Sequence, residues 1–229
     1  MSVSCIIPAY NEAARIAAVL DQVRAHPLID EVIVVDDGSS DGTSAVVARV
    51  AGVAGVRLIS LSQNVGKTAA LAQGIAQAMG SFLLLVDADL IGLSAADLTA
   101  LITPVVQGKA DLSISLRRNA PLLWRLIGLD YISGERVMAK TLITPQLAAL
   151  TSLPKFGFEV FLNHLSIAAA QRIAVVAWPK VISPMKSAKY GAWAGLRGDI
   201  GMIRDMMRAV PPLALLAQIL AMRRLRVVA

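Results

Sequence analysis

Short apolar runs alternate with amphipathic segments through the first half of the chain. The segments between the runs place apolar residues at helical spacing, as Ile16, Val19, Leu20 and Val23 do after the first run. Strands that alternate with helices form βαβ units, so the pattern predicts an α/β fold with a mainly parallel sheet flanked by helices. The runs that we interpret as buried strands are 3–7, 31–36, 56–61, 82–86 and 110–116.

The second half has a less regular pattern. It predicts a helix at 157–170 and a strand at 173–178, and apolar residues recur at the spacing of an amphipathic helix over 193–207. No internal repeat or low-complexity linker divides the chain. We therefore expect one domain over residues 1–185, followed by an amphipathic, basic helical tail over residues 186–229.

Composition narrows the class of protein. The chain has 229 residues, 56% of them apolar, and a single cysteine, Cys5, which rules out an internal disulfide framework and suits a reducing cytoplasm. The N-terminus has neither the basic nor the long apolar region of a signal peptide. No stretch reaches the roughly 18 apolar residues that a membrane-spanning helix needs. We expect a cytoplasmic protein, peripheral on the inner face of the membrane if it contacts one.

Basic residues are concentrated at the C-terminal end. Residues 180–229 contain nine basic and two acidic side chains, a net charge of +7, whereas the whole chain carries +6. This asymmetry favours an anionic partner, and the apolar stripe beside it predicts peripheral membrane contact through residues 193–226. Packing of the same helix on the sheet is the alternative. No nucleic-acid-binding motif is present, so nucleic acid is not an expected partner.

Three strand ends carry acidic and polar residues, and the clearest is FLLLVDAD at 82–89. Asp87 and Asp89 are two positions apart, so in extended backbone their carboxylates point the same way. Two like charges this close require a cation or a raised pKa. Mg²⁺ is usually held by one or two carboxylates together with substrate phosphates. The pair predicts a divalent metal site beyond the carboxyl end of a strand, with helix capping as the alternative.

The second strand end is IVVDDGSSDGT, at 33–43. A buried run again ends in two acids, Asp36 and Asp37, and a Gly-Ser turn follows. Either carboxylate could hydrogen-bond the base or ribose of a nucleotide. An Asx turn is the alternative for one of the pair.

The remaining polar segments are individually less specific. The first strand ends IIPAYNE, where Pro8, Tyr10 and Glu12 follow the apolar run. The tetrapeptide VGKT is not a P-loop, because Leu61 occupies the position of the first P-loop glycine. Lys67 at a helix start can still contact a phosphate, through its ammonium group and the helix N-terminus.

Taken in order, PAYNE, VDDGSSDGT and DAD resemble the motifs of the family 2 glycosyltransferases of the GT-A fold, over residues 3–116. The resemblance implies a Rossmann-like sheet, a UDP- or GDP-linked sugar donor, and Mg²⁺ or Mn²⁺ that neutralises the departing diphosphate. It assigns the metal to Asp87 and Asp89, with Asp89 also catalytic. It assigns the nucleotide-sugar to Pro8, Ala9, Tyr10, Glu12, Asp36, Asp37, Lys67, Asp87 and Ala88.

One subgroup of that family suggests a lipid-linked acceptor. SGER at 133–136, preceded by LRRN at 116–119, resembles the S-G-x-R motif of polyprenol-phosphate sugar transferases such as dolichol-phosphate mannose synthase. The resemblance places Arg117 and Arg136 on the acceptor phosphate, which arginine can bind through two parallel hydrogen bonds. Those enzymes usually carry D-x-D-x-Q, and Ile91 stands here in place of the glutamine.

A second subgroup suggests a small soluble acceptor. GER and the segment KFGFEVFLN resemble glucosyl-3-phosphoglycerate synthases, and this resemblance places Glu159 near the acceptor or the sugar. A first-turn helix acid is the alternative for Glu159. That subgroup also uses a late histidine on the metal, and neither His26 nor His164 is at such a place.

The sequence therefore predicts a metal-dependent glycosyltransferase that acts on a lipid-linked or phosphorylated acceptor. Transfer to a soluble acceptor such as phosphoglycerate is the alternative. A nucleotidyltransferase of similar architecture usually opens with a Gly-rich basic loop, and PAYNE is not one. A non-catalytic nucleotide-sugar-binding protein or membrane scaffold is a further rival, which the intact D-x-D opposes.

Overall fold

A mainly parallel sheet forms the core of the computed structural model, which describes residues 1–52, 55–150, 157–184 and 211–228. Its strands form one sheet in the order β3-β2-β1-β4-β6-β5-β7-β8, and most neighbours are parallel. This confirms the predicted α/β architecture. The strands are β1 (Val3–Ala9), β2 (Glu31–Asp36), β3 (Val56–Ser60), β4 (Phe82–Leu85), β5 (Leu112–Arg117), β6 (Arg136–Ala139), β7 (Ile173–Trp178) and β8 (Arg226–Val227).

Helices cover both faces of the sheet, as the alternation of the chain predicts. They are α1 (Ile16–Val23), α2 (Thr43–Ala48), α3 (Lys67–Gln77), α4 (Ala95–Val106), α5 (Leu122–Ile127), α6 (Leu147–Leu150), α7 (Gly157–Ala168) and α8 (Pro212–Arg224). Short 3₁₀ turns at Lys140–Leu142 and Thr144–Gln146 lead into α6. None of the helices in the described ranges has the length and apolar composition that crossing a bilayer requires.

The core lies on both faces of the central strands. In β1, Cys5 and Ile7 are buried against α1 and α4, whereas Ile6 faces the opposite cluster that includes α3. Successive strand residues point to opposite faces, so a strand buried on both sides is apolar at every position. That is why the continuous apolar runs of this sequence are strands of a parallel sheet.

Helix α4 begins with a capping box formed by Ser94 and Asp97, so the D-x-D pair does not cap this helix. Ser94 accepts a hydrogen bond from the backbone N–H of Asp97, and the Asp97 carboxylate accepts one from the backbone N–H of Ser94. The capping alternative for Asp87 and Asp89 is therefore not what the structure shows.

The second half of the chain departs most from the simple βαβ pattern. Strand β6 is antiparallel and lies between β4 and β5, pairing with both. Within the predicted tail, α8 packs against α7 and β8 pairs with β7, so this part of the tail joins the sheet and its core. The amphipathic helix predicted over 193–207 lies outside the described residues.

Candidate active site

The carboxyl ends of β1, β2 and β4 meet at one edge of the sheet and bring the three motifs together. A cavity of about 760 Å³ opens there. Its lining includes ten of the thirteen predicted site residues, and leaves out Asp36, Arg117 and Arg136. The ten are Pro8, Ala9, Tyr10, Glu12, Asp37, Lys67, Asp87, Ala88, Asp89 and Glu159.

The loops that follow β1 and β2 are tied to each other. Asn11 adopts a left-handed backbone conformation (φ 55°), donates its N–H to the Ser39 hydroxyl at 2.9 Å, and accepts the N–H of Ser40 at 2.9 Å. The N–H of Glu12 donates to the Thr43 hydroxyl, also at 2.9 Å. These bonds hold the PAYNE segment in place and leave Tyr10 on the cavity wall, with 48% of its surface exposed.

Both aspartates of the second motif are buried and bonded to protein groups. Asp37 accepts the backbone N–H groups of Val65 and Gly66 at 2.7 and 2.9 Å, and so fixes the loop that leads into α3. Asp36 accepts the N–H of Ser39 at 3.1 Å and the Ser44 hydroxyl. Asp37 also lines the cavity, whereas Asp36 does not. The predicted contacts of this pair with a nucleotide stay predictions.

Position 38, in the turn after β2, requires glycine because this turn packs against the loop before α3. Gly38 has φ +70°, and a Cβ there would lie 2.5 Å from the backbone carbonyl carbon of Gln63. Only glycine combines that dihedral with so close an approach. The contact places the start of α3, with Lys67, at the cavity.

Lys67 sits between two carboxylates of the cavity. Its Nζ lies 2.7 Å from Asp87 Oδ1 and 3.4 Å from Glu159 Oε1. Burial acts to lower the pKa of Lys67, but the Asp87 and Glu159 carboxylates outweigh it and raise the pKa. A Cβ added at Gly134 would lie within 3.0 Å of the Lys67 ammonium and the Asp87 carboxylate. The SGER loop therefore forms one wall of this ion pair.

A buried charged network lies beside the D-x-D, and Arg117 is its only member among the predicted site residues. Arg117 Nη1 lies 3.3 Å from Glu135 Oε1, and its Nη2 lies 3.7 Å from Asp130 Oδ2. Glu135 also accepts hydroxyl hydrogen bonds from Ser115 and Ser133 at 2.7 and 3.0 Å. Glu135 was visible as the acid of SGER, whereas no local pattern marked Asp130.

Arg117 is only partly satisfied by this network. Its Nε is buried without a hydrogen-bond partner, and 13% of its side chain is exposed. Burial acts to lower the pKa of Arg117, but nearby carboxylates, led by Glu135 and Asp87, outweigh it and raise the pKa. Arg117 is thus a permanent cation whose charge acts on the D-x-D carboxylates.

Arg136 occupies a different environment. It is fully buried, and its guanidinium donates to Asn163 Oδ1 at 2.6 Å and to the carbonyl oxygens of Ser133 and Tyr131 at 2.8 and 3.1 Å. Burial lowers its pKa. Arg136 therefore fixes the 131–133 loop to α7 and is not part of the cavity lining, and its predicted phosphate contact stays a prediction.

The D-x-D loop is held by the segment that follows β7. Asp89 accepts the Ser183 hydroxyl at 3.3 Å, and Ile91 exchanges two backbone hydrogen bonds with Ile182. Gly92 has φ +79° and packs closely against the Lys180 carbonyl oxygen. A Cβ added at Gly92 would lie only 2.6 Å from that oxygen. No sequence signal marked this segment as part of the site.

The donor atoms of the cavity fit a hard divalent cation shared with a substrate. Asp87 and Asp89 both line it, and the described residues contain no group of three or more His, Cys, Asp or Glu side chains suited to a metal. A pair of carboxylates is what Mg²⁺ uses when substrate phosphates complete its coordination. His26 is bonded to Ala95 and Thr99 of α4, away from this edge.

Comparison with known proteins identifies a family and relatives that this chain resembles. The family model described as "Glycosyl transferase family 2" matches residues 4–153. An undecaprenyl-phosphate 4-deoxy-4-formamido-L-arabinose transferase from Aeromonas hydrophila is 36% identical over 128 residues, which are 53% of this chain and 39% of that protein. A dodecaprenyl-phosphate galacturonate synthase from Rhizobium johnstonii is 30% identical over 125 residues, 52% of this chain and 37% of that protein. The chain thus spans about two fifths of the length of these relatives.

Solved structures match over more of the chain. Glucosyl-3-phosphoglycerate synthase from Mycobacterium tuberculosis, in complex with Mn²⁺, UDP and glucosyl-3-phosphoglycerate, superposes with a TM-score of 0.65 at 27% identity. The match covers 91% of this chain and 79% of that one. The same enzyme with Mn²⁺, UDP and phosphoglyceric acid gives a TM-score of 0.67 at 26% identity, covering 91% and 78%.

Proposed function

Because the chain belongs to glycosyl transferase family 2, we propose that it transfers a sugar from a UDP-linked donor to the phosphate of a lipid-linked acceptor, with the help of a divalent metal. One observation carries the proposal. Asp87 and Asp89 share a cavity with Lys67 and Glu159, at the strand ends where the nucleotide motifs also meet. Two carboxylates beside a cation form a site for a diphosphate and its metal.

The chemistry at this site is the departure of a nucleoside diphosphate. A divalent metal supplies charge neutralisation for that leaving group, and Asp87 and Asp89 would hold it. Lys67 supplies a second positive charge to the same phosphates. Tyr10 and Asp37 line the side of the cavity formed by β1 and β2, where we place the nucleoside. The Mn²⁺ and UDP in the similar synthase support this choice of donor and metal.

The acceptor is proposed to be a phosphate because of Arg117 and the relatives. A phosphate monoester is ionised at neutral pH, so the attacking oxygen needs no strong general base. Arg117 carries an incompletely satisfied guanidinium near the D-x-D, and arginine is well suited to a phosphate. The relatives named above act, by their names, on undecaprenyl phosphate and dodecaprenyl phosphate.

A second candidate is transfer to a small soluble phosphorylated acid. The structural similarity to glucosyl-3-phosphoglycerate synthase extends over 91% of the chain and favours this alternative. Glu159 lies in the first turn of α7 and is bonded to Lys67, where it could contact such an acceptor. Both candidates share the donor, the metal and the D-x-D, and differ only in the acceptor.

The test is a sugar-transfer assay with both acceptors. The purified chain is incubated with Mn²⁺ or Mg²⁺, each of several UDP- and GDP-sugars, and either undecaprenyl phosphate in detergent or 3-phosphoglycerate. We expect metal-dependent, UDP-sugar-dependent release of UDP that undecaprenyl phosphate stimulates. In D87N and D89N we expect a loss of at least about 100-fold, which is the range for removing one preorganised electrostatic contact. EDTA is expected to abolish the reaction.

The control variant is D21N, which removes an aspartate of α1 that pairs with Arg24 on the surface. It is expected to retain full activity, because surface pairs contribute little. Transfer that persists undiminished in D89N would refute the metal assignment. Stimulation by 3-phosphoglycerate alone would select the second candidate, and binding of UDP-sugars without any transfer would favour a non-catalytic protein.

A further inference from the structure

Two helices that pack into one core cluster expose leucines to solvent. On α8, Leu213, Leu216 and Leu220 are 46–83% exposed and follow one face at spacings of three and four. On α5, three more leucines are 58–77% exposed. We refer to the six as the leucine surface: Leu122, Leu123, Leu126, Leu213, Leu216 and Leu220.

The two helices are joined through a common buried cluster. Trp124 of α5 stacks on Tyr131 with ring centroids 5.8 Å apart, and the Tyr131 hydroxyl donates to Gln218 of α8. Ile219 and Met222 of α8 belong to the same core cluster as Trp124 and Tyr131. Because both helices bury their inner faces in one cluster, their exposed leucines face away from it together.

Helix α8 is apolar on both faces, which is unusual for a helix at a protein surface. Ile219 and Met222 face the core, while Leu213, Leu216 and Leu220 face outward. A helix that is hydrophobic all round is normally covered on all sides. Contiguous exposed apolar surface of this kind marks a site of interaction with a protein or a membrane.

The charges around the leucine surface have one sign. Arg125 lies on α5, and Arg223, Arg224 and Arg226 lie at the end of α8 and just beyond it, all exposed. Neither helix contains an acidic residue. Leucines flanked by arginines are the composition of helices that lie in the interface of an anionic bilayer.

We infer that the leucine surface docks on an anionic lipid bilayer, with the leucines in the acyl boundary and the arginines at the headgroups. The surface adjoins the active site through two connections. The loop from α5 to β6 contains Gly134, beside Lys67 and Asp87, and α8 packs on α7, which carries Glu159. Docking there brings the cavity to the membrane plane, where a lipid-linked acceptor resides. Only this last consequence rests on the proposed function.

The test is flotation of the full chain with vesicles of phosphatidylcholine alone or mixed with phosphatidylglycerol. We expect the wild type to float with the anionic vesicles and not with the neutral ones. The variants L213Q/L216Q/L220Q and L122Q/L123Q/L126Q should each lose at least tenfold in partitioning. R223Q/R224Q should lose the dependence on anionic lipid. The control M79Q changes an apolar side chain that is 78% exposed and lies on neither helix of the leucine surface, and it should float like the wild type.

Folding and nucleotide binding are checked in the same variants by circular dichroism and by the thermal shift with UDP and Mn²⁺. Both should match the wild type, since none of the substituted residues lines the cavity. Unchanged flotation of the leucine variants would overturn the inference. So would a wild type that ignores vesicles but forms a dimer that those variants disrupt, because the surface would then join two copies. Flotation without sugar transfer would leave the membrane site standing and refute the proposed function alone.

Discussion

Lys67 lies where the proposed metal and diphosphate would bind. Its ammonium lies 2.7 Å from Asp87, a proposed metal ligand, and 3.4 Å from Glu159. The raised pKa keeps it protonated through the neutral range. In the absence of a nucleotide, Lys67 would therefore compete with the proposed metal for Asp87. When a diphosphate is present, the same charge favours the ligand.

This competition predicts effects of opposite sign in K67M. For Mn²⁺ alone, we expect affinity to rise about fivefold, because a partly exposed ion pair is worth up to about 1 kcal/mol. For UDP in the presence of Mn²⁺, we expect affinity to fall by about tenfold, since a charge on the diphosphate is lost. Electron paramagnetic resonance of free Mn²⁺ measures the first quantity and calorimetry the second.

The matched control for K67M is K109M, which removes an exposed lysine after α4 at the far edge of the sheet. It should change neither affinity. A fall in the affinity of K67M for Mn²⁺ alone would contradict the competition and show that Lys67 only supports the site.

Arg117 and Arg136 show what a motif reveals about single residues and what it does not. Both are arginines near the same loop, and the resemblance gave both to an acceptor phosphate. The structure satisfies Arg136 with two backbone carbonyls and Asn163, whereas Arg117 Nε has no partner. Spacing along the chain fixes which residues follow a strand, but the number of hydrogen bonds each side chain makes depends on tertiary neighbours.

Secondary structure was predictable wherever a segment carried its own pattern. Strands β1 to β5 are apolar runs, and α1, α3 and α4 have apolar stripes, so their positions follow from the sequence. Strand β6 has four residues, RVMA, and is defined by pairing with β4 and β5 on its two sides. Its identity comes from neighbours distant in the chain, which local patterning does not encode.

The antiparallel direction of β6 has a direct consequence for the site. Because β6 begins at the edge where β4 and β5 end, the loop before β6 passes next to Asp87 of the D-x-D. Gly134 in that loop leaves room for the Lys67–Asp87 pair, since a Cβ there would lie 2.9 Å from Lys67 Nζ and 3.0 Å from both Asp87 carboxylate oxygens.

The variant G134A is therefore expected to disturb the site and leave the fold intact. The atoms that the new methyl group meets are ends of flexible side chains, which can move without backbone strain. We expect the melting temperature to stay within about 2 °C of the wild type, because only the ends of two flexible side chains must move. Displacement of Asp87 and Lys67 should weaken UDP binding in the presence of Mn²⁺ by about tenfold or more, as measured by calorimetry.

A second glycine variant should show the reverse pattern. Gly108 follows α4 with φ +70°, and a Cβ there would meet nothing within 4 Å. G108A should cost about 1 kcal/mol through backbone strain and lower the melting temperature by about 2–4 °C, without any change in UDP affinity. If G134A behaved like G108A, the loop would serve only the fold.

The chain as a whole places a buried acid next to its candidate active site, and this links its stability to pH. Asp130 is fully buried, and its Oδ2 lacks a hydrogen-bond partner. Burial raises the pKa of Asp130 to about 6, although Arg117 acts to lower it. In the unfolded chain the group titrates near its ordinary value of about 3.9. Between those two values the folded state holds a proton that the unfolded state has released.

The sign of the effect follows from that difference. The folded state binds more protons from about pH 4 to pH 6, so the contribution of Asp130 to stability falls as the pH rises through this window. Above about pH 6 the full cost of a buried carboxylate is present. This is the opposite of Asp111, whose pKa is lowered by hydrogen bonds from Arg172 and whose contribution is lost as the pH falls.

The variant D130N should therefore be more stable than the wild type at pH 7.5. The amide stays neutral at every pH, so the shift in pKa predicts that the free energy of unfolding rises by up to about 3 kcal/mol. Loss of the ion pair between Arg117 and residue 130 reduces this gain. At pH 4.5 the two proteins should differ little. Urea unfolding at both pH values measures this, with D111N as the control that should lose stability at pH 7.5 by less than about 1 kcal/mol. If D130N were destabilised at pH 7.5, the Arg117–Asp130 pair would outweigh the cost of burial, and the acid would be a support for the arginine that faces the D-x-D.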